Sequence, residues 1–257
     1  MKSLRRLGEI APGVFIATAR AYTTVSSVLL DGRGGAVVVD PAWFPDELAA
    51  LPLDLAELDV TCVAGVATHE HYDHVLWEPG LGVPPRWASG TTVHRLARHR
   101  AEVLAPAAQF LTPDLLAIAG RLEVLTAAVL PWSGPETIVI RHDAHAPGHL
   151  ALFQPASGVL LAGDMLSDIE LPMPADDDAD LKTYLSGLAV LRPFVKAARW
   201  LVPGHGSPTD RPAARLAADE RYLDELLARG ASTDPRITGP DMAALHEANV
   251  RRAEKMR

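Results

Sequence analysis

The segment Thr68-His69-Glu70-His71-Tyr72-Asp73-His74 gathers three imidazoles and a carboxylate within six positions, His69 to His74. These are ligand types for a borderline divalent metal: imidazole suits zinc, iron and nickel, and a carboxylate adds negative charge. The chain has a single cysteine, Cys62, so a thiolate cage cannot form and the pattern points to a catalytic rather than a structural metal site. Three later segments each put one ligand-type side chain directly after a strand-like run. They are His145 in His145-Ala-Pro-Gly-His149, Asp164 in Leu161-Ala-Gly-Asp164, and His205 in Val202-Pro-Gly-His205-Gly206. Alone, each reads as an ordinary turn or cap residue. Together, ligands delivered by several strand ends can meet at one edge of a layered sheet.

The elements that must deliver them follow from pattern. Val14 to Thr18, Val25 to Leu30 and Ala36 to Asp40 read as strands, the last two joined as a hairpin by Asp31-Gly32-Arg33-Gly34-Gly35. Pro45-Asp46-Glu47 opens a helix, with Pro at its first position and carboxylates at the positive dipole end. The apolar, β-branched run Val60 to Thr68 is a buried strand that stops at the first histidine cluster. Further strands are expected at 122–125, 137–141, 150–153, 159–161 and 199–202. Helices are expected at 91–104, 180–191, 212–228 and from Asp241, a plausible N-cap, toward Met256. Asp176-Asp177-Asp178-Ala-Asp180 reads as a solvated loop and helix cap. Sheet-then-helix order occurs twice, which gives an α/β (α+β) class with helices outside sheets.

Length and charge narrow the function classes. A chain of 257 residues can bury a sizeable core without disulfides, so a reducing cytosol is the default location. Lys+Arg 24 against Asp+Glu 32 gives a net charge of −8, which argues against nucleic acid and anionic membrane as partners and leaves a small-molecule substrate. Glu9 and Pro12-Gly13 interrupt any signal-peptide core. No window approaches the ~18 apolar residues of a membrane span.

The motif His69-x-His71-x-Asp73-His74, followed in order by His145, Asp164 and His205, resembles the metallo-beta-lactamase superfamily over most of the chain. The opening, Pro12-Gly13-Val14-Phe15 through Val37-Val38-Val39-Asp40-Pro41, is similar to that family's first strands and to its carboxylate beside the active site. The resemblance implies a four-layer αββα sandwich built as one domain over 1–257, with the terminal helices from about 211 either part of it or an appendage. It implies that His69, His71 and His145 hold one metal, that Asp73, His74 and His205 hold a second, and that Asp164 bridges both. The ions would be zinc, with iron or manganese as alternatives. His149 and Asp40 would orient ligands or substrate, and His142 falls outside the site.

Two divalent ions set against Asp73, Asp164 and a bridging hydroxide leave about one net positive charge, enough to stabilise an oxyanion where screening is low. A metal pair also lowers the pKa of water toward ~7, and Asp73 is placed to accept the proton or orient the hydroxide. The implied activity is metal-dependent hydrolysis of a small acyl substrate. Asp164 stands where the beta-lactamase branch usually has a cysteine, so the sequence is more similar to the glyoxalase II, lactonase and thioesterase relatives. Trp77, Trp132, Met165, Leu171 and Met173 are candidates for an apolar acyl pocket. The competing functions are a mononuclear iron persulfide dioxygenase-like oxidoreductase, a small-molecule phosphodiesterase, and a polyketide thioesterase or cyclase.

Overall fold

The computed structural model describes residues 6–174 and 181–256. In chain order the elements are β1 (Gly8–Ala11), β2 (Val14–Thr18), β3 (Val25–Leu30), β4 (Gly35–Val39), α1 (Pro45–Glu57), β5 (Thr61–Val66), β6 (Arg86–Ala88), α2 (Gly90–Leu104), α3 (Pro113–Ile118) and β7 (Glu123–Val124). The second half continues with β8 (Ile138–His142), β9 (His149–Gln154), β10 (Val159–Gly163), α4 (Leu181–Ala197), β11 (Trp200–Pro203), α5 (Pro212–Arg229) and α6 (Gly239–Glu254). Helix α6 starts after Thr238, so Asp241 stands in its first turn rather than at its cap, where its carboxylate still suits the positive dipole end. The acidic run Asp176 to Asp180 lies outside the described residues.

The strands form two sheets, one ordered β1-β2-β3-β4-β5-β6-β7 and the other β11-β10-β9-β8. Alternation along β4 shows how the layers arise, because successive strand side chains point to opposite faces. Val37 and Val39 enter a core between the sheets with Val66, Leu152 and Leu161, while Ala36 and Val38 enter a second core with Leu51 and Leu55 of α1. In the other sheet Leu152 and Leu161 face inward, whereas Ala151, Phe153, Leu160 and Ala162 pack with Leu188, Leu191, Tyr222, Leu223 and Ala253 of α4, α5 and α6. The layers therefore run helix, sheet, sheet, helix, the expected αββα sandwich.

Each sheet changes from antiparallel to parallel pairing. The first does so at β4, which pairs antiparallel with β3 and parallel with β5, and the second at β10, antiparallel with β9 and parallel with β11. Parallel neighbours bring the carboxyl ends of their strands to one edge, where such sheets leave room for ligands. Asp40 follows β4, the motif 69–74 follows β5, His145 follows β8, Asp164 follows β10 and His205 follows β11. Backbone bonds join the sheets at this edge, Val25 N–H to Gly204 O at 2.7 Å and Leu150 N–H to Thr68 O at 2.7 Å. No helix among the described residues is long and apolar enough to cross a membrane.

Candidate metal centre

The strand-end loops bring seven ligand-type side chains together in two groups, His69, His71, His145 and Asp164 in one, and Asp73, His74 and His205 in the other. Within each group the ligand atoms lie within 4.8 Å of one another. Asp164 touches both: its Oδ2 is 3.4 Å from Nε2 of His69, 3.4 Å from Nε2 of His145 and 3.2 Å from Nε2 of His205, and its Oδ1 is 3.2 Å from Nε2 of His74. The approach depends on glycine, since a β-carbon at Gly204 would overlap Asp164 Oδ1.

Hydrogen-bond accounting fixes which imidazole atoms remain available. Asp40, buried, accepts from Thr68 N–H at 2.8 Å, from the Thr68 hydroxyl at 2.6 Å and from His74 Nδ1–H at 3.0 Å. The Thr68 hydroxyl proton being committed to Asp40, its oxygen accepts from His69 Nδ1–H at 3.0 Å. His145 Nδ1–H donates to Met173 O at 3.1 Å, and His205 Nδ1–H to Tyr22 O at 2.9 Å. These acceptors hold the protons on Nδ1 and turn Nε2 of His69, His74, His145 and His205 toward the centre, the usual way outer partners orient metal-binding imidazoles. His71 differs and presents Nδ1, 3.0 Å from His145 Nε2.

The electrostatics divide along the same line. Burial drives His69 and His71 down and takes His145 to about 3, so these imidazoles are neutral at physiological pH. Burial also opposes the charged form of His205, yet Asp164, through charge and hydrogen bonding, and Glu170 outweigh it and lift His205 to about 10. His74 is raised in the same way by Asp164, Asp73 and Asp40. Asp164 is held low despite its burial by the imidazoles of His205, His74 and His69.

The residues fit a metal pair. Nε2 of His74 and His205 face each other at 3.3 Å while their Nδ1 protons are committed elsewhere. With both Nδ1 protons committed, the two Nε2 atoms appose either two lone pairs or, when the rings are protonated as their raised pKa values favour, two N–H groups on cationic rings. A metal ion that displaces those protons removes the conflict in either state. Buried His69 Nε2 and Asp164 Oδ1 make no hydrogen bond, although polar atoms this deep are nearly always satisfied.

The other expected residues occupy distinct places. His149 accepts from Asp164 N–H at 3.2 Å through Nε2 and stacks on His69 with centroids 4.9 Å apart, so it braces two of the clustered side chains from behind. His142, expected outside the site, stacks on His149 at 4.6 Å because the two are register partners on β8 and β9. Glu70 turns away and accepts from Arg95 Nε at 2.6 Å. The expected apolar pocket does not form from the residues named for it. Trp77 lies against Gly65 of β5, where a β-carbon would strike its ring, and Met165 and Leu171 join the core beneath α4 to α6. Trp132 packs at the edge of the intersheet core, and Met173 contributes its carbonyl. Two participants were not legible in the motif. The Thr24 hydroxyl lies 3.2 Å from Asp73 Oδ2 and 3.3 Å from His205 Nδ1, and Glu170, which burial raises to about 7, shares the field of His205, Asp164 and Asp73.

A family model described as the Metallo-beta-lactamase superfamily matches residues 22–215. No curated protein matches the chain. Among solved structures, a metallo-beta-lactamase family protein from Thermus thermophilus is 23% identical with a TM-score of 0.64, the match covering 95% of this chain and 93% of that one. A beta-lactamase domain protein from Burkholderia ambifaria is 21% identical with a TM-score of 0.61, covering 97% and 89%. The stereoselective inverting sec-alkylsulfatase from Pseudomonas sp. is 16% identical with a TM-score of 0.66, covering 97% of this chain and 49% of the sulfatase. At these identities the likeness is one of fold.

Proposed function

The chain belongs to the metallo-beta-lactamase superfamily, and on that premise we propose that it is a dinuclear metal hydrolase, zinc-dependent, acting on a small acyl substrate of the thioester or lactone class. The observation that carries this reading is the placement of Asp164, one carboxylate within 3.4 Å of imidazoles from both ligand groups. His69, His71 and His145 would hold one ion, Asp73, His74 and His205 the other, and Asp164 would be shared. When bound, such a pair lowers the pKa of coordinated water from ~15.7 toward ~7 and polarises an acyl carbonyl.

The chain's own residues do the positioning. Thr24 donates to Asp73 Oδ2, the oxygen nearest His205 and His74, which leaves Oδ1 to orient or take the proton of the attacking water. Asp40 fixes the His74 ring and the Thr68 backbone together. His149 accepts the Asp164 backbone N–H, which fixes the stretch of backbone from which the shared carboxylate projects. Cys62 sits in β5 with its thiol pushed up to about 12 by burial, and the shared ligand is an oxygen. That donor set supports acyl transfer to water more than the cysteine-bearing beta-lactamase chemistry.

The test is a substrate panel on metal-quantified protein: acyl thioesters, acyl-homoserine lactones, a chromogenic beta-lactam and bis-(p-nitrophenyl) phosphate. Thioester or lactone turnover with two zinc ions per chain supports the reading. Phosphodiester turnover alone, or one iron per chain with oxygen uptake on a persulfide, overturns it.

A further inference from the structure

Five aromatic rings stand in unbroken contact beside the metal centre. Trp43 is their hub, its centroid 5.2 Å from Tyr72, 5.4 Å from Phe110, 5.5 Å from Phe44 and 6.1 Å from Tyr22. Phe44 and Phe110 also meet edge to face at 5.5 Å. Such offset and tilted pairs are favourable beyond the area they bury. The hub is dry, Trp43 being 1% exposed, while Tyr22 is 60% and Phe110 40% exposed. A cluster serving only as core would close its outer rings, and large exposed apolar patches mark binding surfaces.

Two of the rings belong to residues that adjoin the centre. Tyr72 lies between His71 and Asp73 in the chain, and its ring packs on Trp43. Tyr22 gives its carbonyl to His205 Nδ1. Both Tyr22 and Thr23 adopt left-handed backbone, φ 51° and 49°, which costs a non-glycine residue energy and persists only where surroundings enforce it. The enforcing contacts are with the site: Gly206 N–H donates to Thr23 O at 3.1 Å, and Thr24 bonds Asp73. The strain thus holds an aromatic residue at the edge of the centre.

Charge sets the kind of ligand. Arg20 lies 5.0 Å over the Phe44 ring but is committed to both oxygens of Asp46 at 2.9 and 2.7 Å. Arg95 is committed to Glu70. Both guanidinium groups are therefore neutralised in place, and the rings themselves are uncharged.

We propose that this cluster is the binding shelf for an aryl group on the substrate, with Tyr22, Tyr72 and Phe110 in contact and Trp43 and Phe44 supporting them. The proposal rests on the acyl-hydrolase reading and narrows it to neutral aryl-bearing esters, thioesters or lactones.

The test compares phenylacetyl and acetyl thioesters of one uncharged thiol, N-acetylcysteamine, on the full-length, metal-loaded protein. The wild type should favour the phenylacetyl thioester in kcat/KM by about tenfold or more. Tyr22→Ala and Phe110→Ala should each lower that ratio by about three- to tenfold, through KM more than kcat. Tyr22→Phe should retain it, as should Val83→Ala, a fully exposed position between β5 and β6. A ratio equal in wild type and both alanine variants, with folding checked by circular dichroism, overturns the shelf. If the wild type cleaves no acyl substrate, the functional reading fails separately, and calorimetry with the non-cleavable phenylethyl and ethyl thioethers decides the shelf. Preferential phenylethyl binding lost in the alanine variants supports it, and equal binding overturns it.

Discussion

Two of the buried charge clusters among the described residues are built differently. In the C-terminal layer Arg236 donates through Nη1 to Ser167 O at 3.1 Å, Glu170 O at 3.0 Å and Asp219 Oδ1 at 2.5 Å, and through Nε and Nη2 to the two oxygens of Asp234 at 2.9 and 3.0 Å. Tyr184 closes on the other oxygen of Asp219 at 3.4 Å. This knot saturates itself. At the strand ends, by contrast, imidazole nitrogens face one another and His69 Nε2 and Asp164 Oδ1 make no hydrogen bond. Buried charge alone does not mark a site, because structural ion pairs are buried too. Unfilled hydrogen-bonding capacity around that charge does.

The largest expected difference between the clusters lies in activity. Asp164→Asn or His71→Ala should cut hydrolysis by on the order of a thousandfold and reduce bound metal, while the metal-free thermal midpoint stays within a few degrees of wild type. Parent-rate hydrolysis by either variant would erase the distinction. In the knot the effect should fall on stability. Arg236→Ala strands Asp219 and frees the loop at Ser167 and Glu170, so urea denaturation should show a loss of about 3–5 kcal/mol. A loss below about 1 kcal/mol would mean that the knot does not staple the terminal helices to that loop.

A smaller effect follows from pH. Burial raises Asp219 to about 6, above its ordinary unfolded value of about 3.9. The folded state therefore resists the charged form, and the contribution of this residue to stability falls as pH rises from about 4 to about 6. The stability of wild type minus that of Asp219→Asn should drop by about 2–3 kcal/mol over that range. A rise instead would show pairing with Arg236 to dominate. The smallest effect is expected at His142, which burial takes to about 4 and whose Nε2 has no hydrogen-bond partner. His142→Phe removes the unsatisfied Nε2 and keeps a flat ring on His149, but it also removes the Nδ1 that accepts from buried Ala144 N–H at 3.3 Å, so stability should fall by about 1–2 kcal/mol. A larger loss would make the imidazole column a polar device rather than packing.

The parts of this architecture carried by local pattern were legible in the sequence. Val25 to Leu30 and Val14 to Thr18 form strands with the expected bounds, because turn residues and β-branched runs delimit them. The seven clustered residues were legible because each lies in a loop that leaves the end of a strand and the fold brings strand ends together. Thr24 was not, since an isolated threonine in a hairpin connection gains meaning only when β3 is laid beside the His205 loop. Arg236 was equally silent, its partners lying 17 and 69 residues away at Asp219 and Ser167. The apolar pocket was misplaced for a related reason. Trp77 follows the motif closely in sequence, but Gly65 leaves a gap in β5 that its indole fills, under Arg86 at 5.3 Å, whereas Trp43, further away in the chain, reaches the aromatic cluster. Proximity in sequence predicted ligands well and pocket walls poorly, since walls come from whatever side chains neighbouring loops supply.

The central claim is that Asp164 joins two metal-binding groups into one centre. Elemental analysis of the dialysed full-length protein, wild type against Asp164→Asn, tests it most directly. Two zinc ions per chain in the wild type, with at least one lost in the variant, is the predicted result. A single ion in the wild type, or two retained in Asp164→Asn, would contradict it.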